Sequence, residues 1–363
     1  MSARLNRRGA TLPLSILVIA LLGVSVAIAY ARLSSERRIT GDAQAQMNAF
    51  AVAQSGLARF LANLNVKPGP PPGGNMDVTY NDLPGGTALV SLRMLRDSTI
   101  TLLPAVYVIT SRGTNTTAKR YSASAAPAER TVATYALWTP TPFDINAGVT
   151  SLTGMTANGN SGAYSGVDRC GGAASIPGVA TPDGLWNAAH PNIVDGSPDN
   201  TPVGLGTQGP AGTAKDSVDI DWASIVAGTA FPADYVYPGS GWPTAGQFDN
   251  WPVIRTNGDM VMPGSGKGIL IVTGNLTWNG TPTKQWEGLV LVGGTLIGNG
   301  AGTIYGATVT GLNVKLGIAV PDYDVGNGTK TWQYDSCSLA RALGHIGSLQ
   351  RVRNGWTDTW PSY

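Results

Sequence analysis

The sequence predicts an α+β chain: a long N-terminal transmembrane and amphipathic helix, a small antiparallel sheet, and a C-terminal β-solenoid-like domain. Three observations carry this. Residues Ala10 to Ala31 hold no charged side chain and, at about 1.5 Å per residue, are long enough to cross about 30 Å of hydrocarbon as a helix. Glycine (48) and proline (24) are abundant while charged residues are 13% of the chain, against about 25% in an average soluble domain, which points to turn-rich β structure. Glycines at 268, 274 and 280 recur at 288, 294 and 300, an offset of 20 residues.

Residues 1–9 are a basic leader carrying Arg4, Arg7 and Arg8 and ending at Gly9, directly before the apolar run. A cut between Gly9 and Ala10 would fall ahead of that run, on the cytoplasmic side, whereas a secretory signal is cut behind it. Pro13 is tolerated because first-turn amides have no helical partner. The leader arginines favour a cytoplasmic N-terminus, and Arg32, Arg37 and Arg38 beyond the run pull the other way.

The helix is expected to span 10–66, about 80 Å of rise. From Ala43 through Met47, Phe50, Leu57, Phe60, Leu61 and Leu64, apolar residues recur at helical spacing. That stripe fits packing on the chain's own domain and packing against neighbouring subunits alike. Gly41 is a candidate bend, and the Pro- and Gly-rich segment 67–75 ends the helix.

Residues 76–140 read as a sheet, with strands over 87–95, 105–111 and 130–138. Residues 141–363 are read as the solenoid-like domain. Gly268 to Gly280 (GILIVTGNLTWNG) and Gly288 to Gly300 (GLVLVGGTLIGNG) repeat short apolar strands with Gly or Asn at the corners, the pattern of stacked coils. A β-meander with glycine turns is the alternative. Residues 258–262 and 306–311 extend the pattern, and 145–166 is a further candidate coil. The proline-rich segment 171–252 is expected as an ordered decoration, and a helix near 336–349 as a cap. Cys170 and Cys337 fit either a bridge formed in an oxidising compartment or two separate buried thiols.

Little in the sequence points to catalysis. His190 and His345 lack neighbouring ligand-spaced residues, so no metal site is expected. Asp195, Ser197 and Asp199 have the spacing of half a calcium loop, but Gly206 stands where a bidentate Glu belongs, and a turn is the better reading. Asp219 and Asp221, with Asp259, would have to cluster on one face to make a β-helix carbohydrate enzyme. No nucleophile-elbow, zincin or phosphate-loop motif occurs. The expectation is a non-enzyme without cofactor, and the scattered basic residues give no nucleic-acid stripe. Trp278, Trp286, Trp332, Trp356 and Trp360 are candidates for a binding face if exposed, and for core if buried.

Arg7-Arg8-Gly9-Ala10-Thr11-Leu12, the apolar helix, Ser35-Glu36-Arg37-Arg38 and residues 49–57 (AFAVAQSGL) resemble the N-terminal region of PilX-type minor pilins of type IV pili. The resemblance covers about the first 65 residues, and more loosely residues 107–113. It implies prepilin peptidase cleavage after Gly9, an N-methylated Ala10, an inner-membrane single-pass precursor with a periplasmic or extracellular head, and assembly with other pilins. Leu12, Leu14, Phe50 and Leu57 are then helix-assembly residues. Leu14 stands where major pilins carry a glutamate, which such a family tolerates in a tip subunit, and Gln54-Ser55 replaces the more usual Glu-Ala. The implied function is assembly priming or adhesion through a surface ligand. The alternatives are a membrane-anchored adhesin outside any filament and the carbohydrate enzyme above.

Overall fold

The computed structural model describes residues 11–64, 75–96, 104–116, 127–141, 143–158, 162–189 and 194–358. Helix α1 (Thr11–Asn63) is continuous, through Gly41, for 53 residues. It is long and apolar enough to cross a membrane, with a mean hydropathy of 2.6 over its most apolar window, and that window is wholly exposed. Its C-terminal half packs on strands β1 (Asn75–Leu83), β2 (Gly86–Arg96), β3 (Val106–Asn115) and β4 (Glu129–Pro140), which pair antiparallel in chain order.

The helix face against the sheet differs from the expected stripe. Met47 and Ala43 are exposed, whereas Ala45, Ala49, Val52, Ala53, Leu57 and Phe60 are buried. The cause is close approach. A Cβ on Gly113 of β3 would stand 2.2 Å from the Ala49 carbonyl oxygen, and one on Gly56 would stand 2.5 Å from the Ala88 Cβ. The contact therefore selects small residues, and side-chain size misplaces the stripe. Leu57 and Phe60 complete the core with Val90, Leu92, Tyr107, Ile109, Val132 and Trp138.

Beyond β4, short strands run parallel to one another. The first group is β5 (Val149–Ser151), β6 (Met155–Asn158), β7 (Ala163–Ser165), β8 (Val179–Thr181), β9 (Trp186–Ala188), β10 (Val194–Asp195) and β11 (Val203–Gly204). After helix α2 (Trp222–Ala227) come β12 (Tyr235–Tyr237), β13 (Val253–Thr256), β14 (Met260–Val261), β15 (Gly266–Val272) and β16 (Leu276–Gly280). The chain continues through β17 (Gln285–Val292), β18 (Leu296–Thr310), β19 (Asp324–Asn327) and β20 (Thr329–Gln333), then helix α3 (Ser336–Gly344) and strand β21 (Gly347–Asp358).

The 20-residue repeat is the register of this sheet. Gly268 of β15 lies opposite Gly288 of β17, and Gly280 of β16 opposite Gly300 of β18. Gly268, Gly288 and Gly306 align with φ of 116°, 121° and 130°, a region that disfavours any residue with a Cβ. Strands of successive layers form ladders such as β14–β16–β18–β19–β6–β9. A second ladder is β12–β13–β15–β17–β18–β5–β8–β11.

The order of layers is not the order of the chain. The chain enters the middle of the stack at β5, builds outward to β11, crosses through 205–234 to the far end at β12, and winds back. It meets its own beginning where β18, β19 and β20 pair with β5, β6 and β7. Leaving there, it forms α3 and β21, and β21 pairs antiparallel with β4 as the fifth strand of the first sheet. The whole stack is thus an insertion between two neighbouring strands of that sheet.

Two expected elements take other forms. The helix near 336–349 stops at Gly344, because 347–358 is captured by the free edge of β4, which places Leu349 in the core under α1. The segment 171–252 is only partly decoration: β8 to β11 are rungs of the stack. Strands of two or three residues between Pro and Gly corners are too short to show a hydrophobic period.

Candidate functional site

Gly9 and Ala10 lie outside the described residues. Immediately after them, Leu12 and Leu14 are 72% and 65% exposed, and large apolar side chains stay exposed from Ile16 through Leu33. Two serine hydroxyls in this stretch are satisfied by the helix itself: Ser15 Oγ donates to the Leu12 carbonyl and Ser25 Oγ to the Leu21 carbonyl, both at 2.8 Å. Such a surface is costly in water and suits either lipid or a bundle of like helices.

Where α1 meets the head the surface changes character. Leu57 is buried in the head core, and Phe50 is half-buried with its ring edge-on to Trp356 of β21, centroids 6.0 Å apart. The β21–β4 register breaks between Arg351 and Trp356, so residues 352–355 bulge from the sheet, with Asn354 at φ 60°. The bulge opens a groove of 710 Å³ between α1 and β21, lined by Gln54, Ser55, Thr134, Arg351, Asn354 and Trp356 among others. Arg59, next in the chain to Ala58 of the groove lining, pairs through Nη1 with both oxygens of Asp82 at 2.7 and 2.8 Å.

A second constellation lies where the stack closes on itself. Cys170 and Cys337 form a disulfide, with Cα atoms 5.7 Å apart. Around it, Asp168 accepts from the Ser336 amide and hydroxyl, both at 2.8 Å, and from the amides of Cys170, Gly172 and Ala173. Burial opposes the charged form of Asp168, yet these donors outweigh it and hold the carboxyl below its ordinary range. Asp335 caps α3 through the Ser338 amide and pairs with Arg169 at 2.9 Å. The Arg169 guanidinium also lies over the Tyr305 ring, 3.9 Å from its centroid. The bridge is one of the two alternatives open for the chain's two cysteines; the contacts of Asp168 and Asp335 around it follow from the layer order, which sequence spacing does not show.

Cys170, Asp335 and Cys337 are also close enough to suggest a metal site, but with both sulfurs in the disulfide they offer no thiolates. Asp221 caps α2 through the Ser224 amide at 3.1 Å, and Asp259 accepts from the Asn275 amide at 2.7 Å. Asp195 accepts from the Ser165 hydroxyl beside a cis Ser197–Pro198 bond. These carboxylates are occupied in caps and turns. His190 is outside the described residues, and His345 Nε2 lies 2.8 Å from Asp234 Oδ2.

Of the tryptophans considered for a binding face, Trp278, Trp286 and Trp332 are buried in the stack. Trp332 stacks on Tyr164 at 4.6 Å across the closure. Trp286 meets Phe248 edge-on and Trp242 at a tilt, with centroids 6.3 and 6.1 Å apart. Trp356 is 45% exposed, on the groove, and Trp360 is outside the described residues.

No family model matches the chain, and no curated protein is similar to it. Among solved structures, the competence-associated pilin ComZ from Thermus thermophilus aligns with a TM-score of 0.25 and 10% identity, over 86% of this chain and 97% of that one. At that level nothing is carried over from it.

Proposed function

We propose that this chain is a minor pilin or pseudopilin that occupies the tip region of a type IV pilus-like filament, where its parallel stack acts as a β-solenoid display module for assembly priming or adhesion. One observation carries the reading: a single unbroken helix is apolar and fully exposed over its first half and docked on an antiparallel sheet over its second. The exposed half is held in the inner membrane before assembly and by other subunits' helices afterwards. Burial of that surface drives insertion and packing.

In this reading prepilin peptidase cuts after Gly9 and leaves an N-methylated Ala10. Leu14 provides no carboxylate for the N-terminus of a neighbouring subunit, which suits a subunit at the filament end. The head then projects a stack whose core is built from Ile269, Ile271, Leu289 and Leu291 on one side and Leu270, Val290 and Trp286 on the other. A rigid module of this kind presents its surface without internal rearrangement.

Mass spectrometry of the mature N-terminus tests this directly. A methylated Ala10, lost together with filament incorporation in Gly9→Leu, supports the pilin. An intact Met1 with unchanged surface display in Gly9→Leu rejects it in favour of a single-pass adhesin.

A further inference from the structure

The groove between α1 and β21 has the size and the lining of a small-ligand site. Its 710 Å³ falls within the ~300–1,000 Å³ usual for such sites. On the helix side Ala51, Ser55 and Ala58 stand four and three residues apart on one exposed face. Being small, they take up little of the space. On the strand side the bulge at 352–355 holds Asn354 at φ 60°, a conformation that residues other than glycine seldom adopt, and sets Trp356 against Phe50.

The polar groups facing this space are without partners on the chain. Leu349 points into the core under α1, so strand alternation turns Arg351 to the same side. No Asp or Glu is among the described residues lining the groove, and none of the described residues pairs with Arg351. Arg59 and Arg130 of the same head, by contrast, pair with Asp82 and Asp358. The side-chain amides of Gln54 and Asn354 likewise make no hydrogen bond among the described residues. Ser55 Oγ donates to the Ala51 carbonyl at 2.9 Å, which leaves its oxygen able to accept. Trp356 is held by Phe50 with the ring planes at 77°, yet stays 45% exposed.

We infer that this groove binds an acidic oligosaccharide, one whose sugar units carry a carboxylate. The C–H face of a sugar ring packs on Trp356. Gln54 and Asn354 each offer a donor and an acceptor to neighbouring hydroxyls, and the planar fork of Arg351 takes the carboxylate through two parallel bonds. An apolar helix laid in the groove would leave Arg351 and both amides buried without partners. A single nucleic-acid strand needs a basic track along several phosphates, and Arg351 is the one cation among the described residues lining this groove. The inference goes beyond the filament reading: it puts a ligand site on the head sheet and not on the stack, and it needs no assembly.

The test is calorimetric titration of the full chain, held in a detergent without a sugar headgroup, with trigalacturonic acid and with its neutral counterpart galactotriose. The acidic sugar should bind about tenfold more tightly, and its advantage should fall as salt rises. Arg351→Gln should abolish that advantage while leaving the weak neutral binding, and Arg351→Lys should restore part of it. Trp356→Ala should weaken both sugars by about tenfold or more. Because Trp356 also packs on Phe50, Asn354→Gly serves as the second variant: glycine keeps the positive φ of the bulge, so the thermal melt should hold while affinity falls by about threefold or more. Binding of neither sugar overturns the inference, as does equal binding of both or an affinity unchanged in Arg351→Gln and Asn354→Gly. Binding of oligothymidylate in place of the acidic sugar, lost in Trp356→Ala, would assign the groove to nucleic acid and overturn it too. None of these outcomes bears on cleavage after Gly9, so the filament reading stands or falls separately.

Discussion

Cys170 and Cys337, 167 residues apart in sequence, are covalently joined at the place where the parallel stack closes on its own first layers. The bond ties the exit of the chain toward α3 and β21 to the turn after β7. Removing it frees a very long loop in the unfolded chain and unpins the segment that completes the head sheet. The C170S/C337S variant should lose about 2–5 kcal/mol in denaturant unfolding. Hydrogen exchange should rise in α3 and β21 more than in β15 and β17, whose amides are fixed by neighbours on both sides. Equal protection of β21 in the variant and the oxidised protein would show that the head sheet holds its last strand unaided.

The approach of α1 to β3 sets the second prediction. Gly113→Ala places a Cβ 2.2 Å from the Ala49 carbonyl oxygen and 2.4 Å from the Ala53 nitrogen, both main-chain atoms that move only with the helix. It would also disturb the bond from Ser111 Oγ to the Ala53 carbonyl, 2.7 Å and buried. The cost should be about 1–3 kcal/mol or more. Gly41→Ala meets nothing within 4 Å, and there the higher helix propensity of alanine should stabilise by up to about 1 kcal/mol. Thermal melts of the two variants in the same detergent should move in opposite directions.

These contacts show what the sequence makes legible. The apolar run and the alternation of β2, β3 and β4 are local patterns, so α1 and most of the head can be read directly. The glycine repeat gives the true register of β15 on β17, because a corner without room for a Cβ must recur once per layer. The small-residue face of α1 is less visible, since Ala45, Ala49 and Gly56 matter for what they lack. The closure of β20 on β7 and the return of β21 to β4 leave no local signal at all. Both are choices among strand edges of similar composition, settled by packing of the whole chain. The Asp168–Ser336 contact inherits that invisibility, whereas the Cys170–Cys337 bridge is open to the sequence because the chain has two cysteines.

Asp324 sits at the same closure and predicts a pH effect. Its carboxylate is buried, accepts from the Leu296 amide at 2.6 Å, and is bonded by the hydroxyls of Thr310 and Ser151. Burial dominates and pushes its pKa from 3.8 up to about 6. The folded state therefore holds this proton more tightly than the unfolded chain. The stabilisation is complete below about pH 4 and is lost as pH rises through about 6, a difference of about 3 kcal/mol from this group. Asp324→Asn keeps a neutral amide at the site and should flatten the stability profile between pH 4 and 6. Urea midpoints measured across that range check it, and a slope identical to wild type would place the titration elsewhere.

The pair of Asp234 and His345 acts in a lower window and with the opposite sign. Asp234 Oδ2 accepts from the Val253 amide at 2.8 Å and lies 2.8 Å from His345 Nε2, linking the far end of the stack to the end of α3. Burial works against its charge, but the hydrogen bond and attraction of His345, helped by the Val253 amide, lower its pKa overall. A lowered carboxylate stabilises the fold above the ordinary value of about 3.9 and loses that contribution as pH falls through its folded pKa. His345→Phe removes the partner and leaves the carboxylate with backbone amides only, those of Val253 and of Asp234 itself, at a cost of about 1–3 kcal/mol at pH 7. Asp234→Asn should cost less, because the amide retains an acceptor for Val253. A double-mutant cycle should give a coupling of about 0.5–3 kcal/mol at pH 7 that shrinks below pH 4. A coupling that stays constant down to pH 3 would mean that the contact contributes through packing and not through the carboxylate charge.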